Sequence, residues 1–244
     1  MVSKNQKKLI KSLYQKKYRK QHKMFVAEGK KVICELMDAG LELHALFTID
    51  VSAFDVVHQK LVYEVTQNEL KQLSFLTTPQ VGLAVFYIPQ QKEVAQEALI
   101  LALDDVRDPG NLGTIIRLCD WFGVKNLVCS LKTADCFNPK VIQATMGSIT
   151  RVNVIYVDLP MFLKERNSGV KVFGTFMEGS SVYNETLPEN GIIVMGNEAN
   201  GISEDIEKFV DAKITIPRFG LDQKTESLNV ATATAVILSE FKRR

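Results

Sequence analysis

The sequence has few of the residues that most often carry enzyme chemistry. Among 244 residues there are three histidines, His22, His44 and His58, and all of them lie in the first quarter of the chain. The rest of the chain therefore cannot supply a histidine base, a Ser-His-Asp triad or an HExxH metal site from its own residues. Chemistry in that part of the chain has to depend on other side chains.

Cysteine is also sparse. The four cysteines form no CxxC pair and have no nearby histidine at the spacing of zinc ligands; they are Cys34, Cys119, Cys129 and Cys136. We interpret them as reduced thiols of the core. The sequence predicts no metal site.

Long apolar runs are missing as well. A helix that spans a bilayer needs about 18–20 consecutive apolar residues, whereas the longest stretches here resemble ALILAL at 98–103. The lysine-rich N-terminus has no apolar signal-peptide core behind its charges. We expect a cytoplasmic protein that does not contact membranes. A hydrophobic share of 46% beside 24% charged residues is enough for a sizeable core, which argues against disorder.

Positive charge is concentrated at the N-terminus, although the formal net charge is only +2. Eleven of the 30 lysines and arginines fall within the first 31 positions, where Glu28 is the single acid. Apolar residues at helical spacing among these cations predict one basic amphipathic helix over 3–20. Such a run is either the solvated face of a helix or a surface that binds phosphates.

Strand-like and helical segments alternate along both halves, which predicts two α/β domains. We place the domains at 1–90 and 98–244, because the polar stretch from Pro89 has no apolar periodicity before Ala98. Pattern alone predicts a conventional doubly wound parallel sheet in the second domain, with ligands beyond the carboxyl ends of its strands.

Nucleotide-binding fingerprints are absent from this domain. There is no GxGxxG, which argues against a nicotinamide or flavin enzyme. The GxxxxG spacing of Gly196 and Gly201 is followed by Ile202, where a phosphate-binding loop requires lysine. We therefore reject a P-loop.

Three short polar segments follow strand-like runs in the second half: DPGNLGTIIR at 108–117, VMGNEANGIS at 194–203, and ITIPRFGLDQKTESLNVATA at 214–233. Taken singly, their polar residues have structural explanations. Asn111 and Ser227 stand where helix N-caps belong, and Arg117 is explicable as a surface or salt-bridged cation. The small residues 231–235 favour close helix packing, either within the monomer or between subunits.

Together the segments resemble the motif set of the SpoU (TrmH-type) RNA ribose methyltransferases of the SPOUT superfamily. The order of the segments and their polar identities carry the resemblance, namely Asn111, Arg117, Gly196, Glu198, Ser227 and Asn229. It covers the whole C-terminal domain. It extends weakly into 25–29 and 76–82, which look like the RNA-binding domain of the family.

The resemblance implies an α/β SPOUT fold with a deep trefoil knot, and S-adenosylmethionine as the methyl donor to a ribose 2′-hydroxyl of rRNA or tRNA. It assigns cofactor contacts to Gly196, Ile216 and Leu228, and the catalytic positions to Asn111, Arg117, Glu198, Ser227 and Asn229. It also implies a homodimer that uses the last helix and builds each site from two subunits. An arginine resists deprotonation, so we expect Arg117 to hold a substrate phosphate and stabilise the emerging alkoxide.

RNA phosphates then become the expected partner of the N-terminal cations, namely Lys4, Lys7, Lys8, Lys11, Lys16, Lys17, Arg19 and Lys20. The alternative is a catalytically silent SpoU-like protein that only binds RNA or ribosomes, and the presence of all five catalytic positions argues against it. The chain departs from the family in a 217–227 loop that looks longer than in many relatives, and in Ala231, where serine is usual.

Overall fold

The structure is a computed structural model that describes residues 2–54, 59–94, 98–220 and 227–243. Contacts divide the chain into two compact units. The N-terminal unit comprises Met1–Gln90 together with Asp135–Thr150, and the C-terminal unit comprises Gln91–Ala134 together with Arg151–Arg244. A short segment from the second half of the sequence thus packs in the N-terminal unit.

The N-terminal unit contains a four-stranded sheet in the order β1-β4-β2-β3. Its strands are β1 (Met24–Glu28), β2 (Leu43–Thr48), β3 (Val62–Glu64) and β4 (Gly82–Tyr87). Its helices are α1 (Lys4–Ser12), α2 (Lys16–His22), α3 (Lys30–Asp38), α4 (Gln67–Leu73) and α6 (Pro139–Thr145), with 3-10 turns at Val51–Ala53, Gln59–Leu61 and Ser148–Thr150. Strand β4 is antiparallel to β1 and β2, whereas β3 is parallel to β2.

The predicted single helix over 3–20 is wrong, because the chain forms two helices separated by residues 13–15. Arg19 explains the break. Its Nη1 donates to the carbonyl oxygens of Leu13 and Tyr14 at 2.8 Å each. A continuous helix would use those two carbonyls for backbone bonds to residues 17 and 18. The apolar side of α1 is buried, with Ile10 1% exposed.

Arg19 is itself 2% exposed, and its Nε and Nη2 donate to Asp135 Oδ2 at 3.0 and 2.5 Å. Removing one partner of a buried pair leaves an uncompensated charge, which typically costs about 3–5 kcal/mol.

We expect Arg19→Ala to lower the free energy of unfolding by about that amount in urea denaturation. Lys20→Ala, an exposed neighbour, is the control. Arg19→Ala combined with Asp135→Ala should recover part of the loss. Equal unfolding free energies for the Arg19→Ala and Lys20→Ala variants would contradict a stabilising pair.

The C-terminal unit contains a six-stranded, all-parallel sheet in the order β10-β8-β9-β5-β6-β7. Its strands are β5 (Leu99–Leu103), β6 (Asn126–Ser130), β7 (Asn153–Val157), β8 (Val172–Ser181), β9 (Gly191–Met195) and β10 (Ala212–Thr215). The predicted parallel sheet is confirmed, but a conventional doubly wound sheet would place β8 beside β5. Here β9 pairs with β5 and β8 lies beyond it. Apolar patterning identifies buried strands without specifying their neighbours.

The helices of this unit are α5 (Pro109–Trp121), α7 (Leu159–Lys164), α8 (Glu204–Glu207) and α9 (Val230–Lys242). Two expectations about helix starts are wrong. The N-cap of α5 is Asp108, whose Oδ1 accepts from the backbone N–H of Asn111 at 2.8 Å. The N-cap of α9 is Asn229 rather than Ser227. Helix α9 packs against α5.

The small residues at the start of α9 contribute to packing within this unit, since Ala231 is 5% exposed and Thr234 is fully buried. Cys119, Cys129 and Cys136 are also buried, and Cys34 is half-buried. Burial raises the pKa of the Cys119 thiol, which keeps it protonated and unreactive. Within the described residues there is neither a helix long and apolar enough to cross a bilayer nor a cluster of metal-ligating side chains.

Candidate active site

A cavity of about 940 Å³ lies at the carboxyl ends of β9 and β10. Its lining includes five site residues of the second and third motifs, namely Gly196, Glu198, Ile216, Ser227 and Leu228. The carboxyl ends of parallel strands are the usual place for ligands in such sheets, and the volume falls in the range of small-molecule sites. The 217–227 loop borders this cavity and lies outside the described residues between 221 and 226.

One wall of the cavity comes from an interruption in β8 that the sequence analysis did not predict. Strand β8 pairs with β10 at Phe173 and Gly174 and pairs with it again at Ser180 and Ser181. The residues between these two stretches, 175–179, form no pairs with β10. Of these, 175–178 line the cavity. Gly179 allows the close return, because a Cβ there would lie 2.7 Å from the carbonyl oxygen of Lys213. A glycine within a strand-like run, here Gly179, is the feature of the sequence that indicates such an interruption.

The second motif forms a tight loop around Gly196. A Cβ at this position would lie 2.2 Å from the carbonyl carbon of Gly201 and 2.3 Å from the backbone nitrogen of Ile202. Asn197 and Gly201 exchange two backbone hydrogen bonds of 2.9 Å that close the loop. Glycine is required because two backbone segments touch here.

Asn197 organises this loop and was missed by the sequence analysis. Its Oδ1 accepts from the backbone N–H groups of Ala199 and Asn200 at 2.9 and 3.1 Å. Its Nδ2 donates to the carbonyl oxygen of Asp105 at 2.7 Å. It therefore links the second motif to the turn before the first. An asparagine in a turn bounded by glycines, here Asn197 between Gly196 and Gly201, is the feature of the sequence that indicates a side chain bonded to the turn's backbone.

A hydrogen-bonded chain joins one residue from each motif. Asn111 Nδ2 donates to Glu198 Oε1 at 3.0 Å, and Asn229 Nδ2 donates to Asn111 Oδ1 at 2.9 Å. Because both ends of the Asn111 amide are engaged, its orientation is fixed. The backbone nitrogens of Arg107 and Asp108 each lie 3.5 Å from the Glu198 carboxylate. Three separate motifs thus meet beside the cavity.

Arg117 takes no part in the hydrogen bonds among Asn111, Glu198 and Asn229, and it does not line the cavity. It follows Asn111 by six positions on α5, which is about 240° around the helix. It shares an exposed face of α5 with Thr114 and Trp121, and Trp121 is 84% exposed. Within one subunit, the helix directs Arg117 away from Asn111.

The eight predicted RNA-binding cations lie in the N-terminal unit, and most of them are exposed: Lys4, Lys8, Lys11, Lys16, Lys17 and Lys20. Lys7 is half-buried and donates to Gln72 Oε1 at 2.7 Å. Lys11 Nζ also donates to the carbonyl oxygen of Ser74 at 3.0 Å. Arg19 is the exception, because it is buried and bonded to Asp135 and is therefore not accessible to an RNA phosphate.

Comparison with known proteins identifies the unit that contains the cavity. Residues 98–239, more than half of the chain, match the model of the SpoU rRNA methylase family. The chain belongs to the SpoU family. Residues 4–84 match the MRM3-like substrate binding domain. The expected fold class, an α/β methylase sheet with a smaller N-terminal substrate-binding domain, is confirmed.

Individual SpoU relatives extend the match over nearly the whole chain. The 23S rRNA (guanosine(2553)-2′-O)-methyltransferase RlmP of Bacillus subtilis is 32% identical, covering 98% of this chain and 97% of its own. A solved structure of a TrmH-family protein from Porphyromonas gingivalis has a TM-score of 0.91 at 38% identity, covering 100% and 99%. An AdoMet-bound rRNA methyltransferase from Sinorhizobium meliloti has a TM-score of 0.87 at 30% identity, covering 100% and 97%.

Proposed function

We propose that this SpoU protein transfers a methyl group from S-adenosylmethionine to a ribose 2′-hydroxyl of rRNA or tRNA. The proposal rests on the cavity formed by the second and third motifs and on the hydrogen-bonded residues beside it, Glu198, Asn111 and Asn229. RlmP, which matches over 97% of its length, is named as a 23S rRNA enzyme, so rRNA is the first substrate to test. Action on rRNA accords with a cytoplasmic protein.

The residues of the cavity fit the cofactor. Its walls combine apolar side chains, such as Ile216, Leu228 and Ile237, with the close-packed backbone at Gly196. Backbone groups exposed in such a loop suit an adenine edge, and the carboxylates of Glu178 and Glu198 on the lining suit a positively charged ligand. When bound, the cofactor supplies a methyl group that is already activated by the positive charge on sulfur.

The protein's main task is then to align the ribose hydroxyl with that methyl group. We propose that Asn111 and Glu198 orient the hydroxyl, because each is held by the other and neither is free to rotate. Ser227, on the cavity lining, and Asn229 support this geometry. Alignment of a well-placed pair contributes on the order of 7–11 kcal/mol. These four residues are therefore assigned chiefly to positioning.

We also propose that the protein acts as a homodimer in which Arg117 serves the site of the other subunit. Two observations support this. Arg117 lies on the face of α5 that turns away from Asn111, and that face carries Trp121, a large apolar residue that is 84% exposed. A guanidinium from the second subunit would hold a substrate phosphate and stabilise the alkoxide. The expected trefoil knot is likewise proposed, supported by the position of β9 between β5 and β8.

The test of this function is methyl transfer to RNA. Purified protein is incubated with methyl-labelled cofactor and, separately, unmodified 23S rRNA and unmodified tRNA. We expect label in rRNA, and a methylated ribose that resists alkaline cleavage of the following phosphodiester. Cofactor binding without label in either RNA would favour the catalytically silent alternative.

The N-terminal lysines give a second measurable expectation. Replacing Lys4, Lys8, Lys17 and Lys20 with glutamine should weaken RNA binding and flatten its dependence on salt, by about 0.7–0.9 in log–log slope for each phosphate that the protein no longer neutralises. Substitution is preferable to deleting the segment, because Ile10 and Leu13 are buried in the core. The control is Lys132→Gln with Lys164→Gln, two exposed lysines of the C-terminal unit. An unchanged slope would make the N-terminal run a solvated face.

A further inference from the structure

The turn before the first motif is held in an unusual conformation. Asp105 has φ of +61°, a region that residues other than glycine rarely adopt. Its backbone N–H donates to Ser130 Oγ at 2.9 Å, and its carbonyl oxygen accepts from Asn197 Nδ2 at 2.7 Å. Such outliers persist where the surroundings enforce them, and they cluster at functional sites. The hydrogen bonds to Ser130 and Asn197 therefore hold Asp105 in this conformation.

The carboxylate of Asp105 holds Arg107 in a two-point contact. Arg107 Nε donates to Oδ1 at 2.9 Å, and Nη2 donates to Oδ2 at 2.7 Å. The arginine side chain is nevertheless 66% exposed, against 19% for the aspartate. Exposed ion pairs contribute little to stability. The pair is better explained as a means of fixing the direction of a guanidinium that faces solvent.

The backbone of Arg107 lies beside the hydrogen-bonded residues Glu198 and Asn111. The backbone nitrogen of Arg107 is 3.5 Å from Glu198 Oε2, and the next residue, Asp108, is the N-cap of α5, whose third residue is Asn111. The third nitrogen of the Arg107 guanidinium, Nη1, donates to no atom of the residues that the structure describes. A guanidinium with a free edge and a set orientation is the usual protein ligand for a phosphate oxygen.

We propose that Arg107 binds a backbone phosphate of the RNA next to the accepting ribose, and that Asp105 is its positioning residue. The inference rests on the proposed function, because it assumes that the ribose lies at Asn111 and Glu198. RNA carries a phosphate on each side of every ribose, so a cation adjacent to Asn111 has a phosphate within reach whatever the base. The contact therefore contributes affinity and register without reading sequence.

The experiment measures RNA binding directly, by filter binding of in vitro transcribed 23S rRNA across a series of salt concentrations. The variants are Arg107→Gln, Arg107→Lys and Asp105→Asn. Arg151→Gln is the control, because Arg151 forms a comparable pair with Asp120 at 2.8 Å and does not line the cavity. Calorimetry of cofactor binding and thermal melting accompany each variant, which separates weaker RNA binding from a damaged fold.

We expect Arg107→Gln to raise the dissociation constant about tenfold, as for one charge-assisted contact, and to reduce the salt slope by about 0.7–0.9. Both Asp105→Asn and Arg107→Lys keep a cation at position 107, so they should weaken binding less and leave the slope unchanged. Because Asp105→Asn also removes a neighbouring negative charge, any weakening that it causes reports the lost orientation of the guanidinium. Cofactor affinity should stay at the wild-type value throughout.

The proposal is overturned if Arg107→Gln matches Arg151→Gln in both affinity and slope. It is also overturned if Arg107→Gln and Asp105→Asn lower the melting temperature equally and leave RNA binding intact, since the pair would then only stabilise the turn. Neither readout requires methyl transfer. Wild-type protein that binds RNA without methylating it would refute the proposed function and still report on Arg107.

Discussion

Gly196→Ala is expected to weaken cofactor binding severely. The new Cβ would lie 2.2 Å from the carbonyl carbon of Gly201, whereas carbon atoms in contact prefer a separation of about 3.5–4.0 Å. The atoms it meets are backbone, so no side chain can rotate aside. The loop has to open, which breaks the paired hydrogen bonds of Asn197 and Gly201. We expect calorimetry to show at least a hundredfold, or roughly 2.8 kcal/mol, loss of affinity for S-adenosylmethionine.

A matched control for this variant lies on the same cavity. Gly220 also lines it, yet a Cβ at Gly220 would meet no atom of the described residues within 4 Å. Gly220→Ala should therefore bind the cofactor with wild-type affinity. Cofactor affinity of Gly196→Ala within threefold of wild type, at an unchanged melting temperature, would show that the loop accommodates a methyl group and that the backbone contact is dispensable.

Mixed dimers should restore activity that each parent variant lacks. Arg117→Ala removes the cation assigned to the alkoxide, and Glu198→Gln removes the carboxylate assigned to orienting the hydroxyl. We expect each substitution to lower kcat by about 10²-fold or more. A dimer with one subunit of each kind contains one complete site if Arg117 acts across the interface. If Arg117 acts within its own subunit, both sites are defective. We expect the mixed dimer to reach about half of the wild-type rate, from one site in two.

Two different affinity tags on co-expressed subunits allow the mixed dimer to be purified and assayed on unmodified 23S rRNA. The control is a tagged pair in which one subunit carries both substitutions and the other is wild type. That pair should be inactive if Arg117 acts in trans, because each site then lacks one group, and half-active if it acts in cis. A mixed dimer as slow as its parents, or a protein that sediments as a monomer, would refute the shared site.

Much of the local structure follows from the sequence. The sequence predicts a parallel sheet in the second domain, and the apolar runs LILAL and GIIVM form its strands β5 and β9, both fully buried. Strand ends followed by glycine and asparagine indicated where a ligand site would form. Gly196, Ile216 and Leu228 were assigned to one pocket from motif resemblance, and the structure brings them to one cavity. Local patterns succeed here because burial and turn chemistry act over a few residues.

Other features depend on contacts between distant parts of the chain. Arg19 looked like one more surface cation, yet it is buried because Asp135, 116 positions away, receives it. Residues 175–178 became a cavity wall because β10 pairs with β8 on both sides of them. Asn197 gained its role from the carbonyl of Asp105. In none of these cases does the neighbouring sequence specify the partner.

The sequence by itself determined the family, the parallel α/β class and the three motifs that carry the chemistry, because these depend on residue identity and short-range periodicity. The tertiary structure decided which strands are neighbours, which cations remain at the surface, and which way each motif residue faces. Asn111 and Arg117 belong to one motif and one helix, but only Asn111 reaches Glu198 and Asn229. The physical reason is that helical geometry sends side chains six positions apart in different directions, and packing determines which direction meets the cavity.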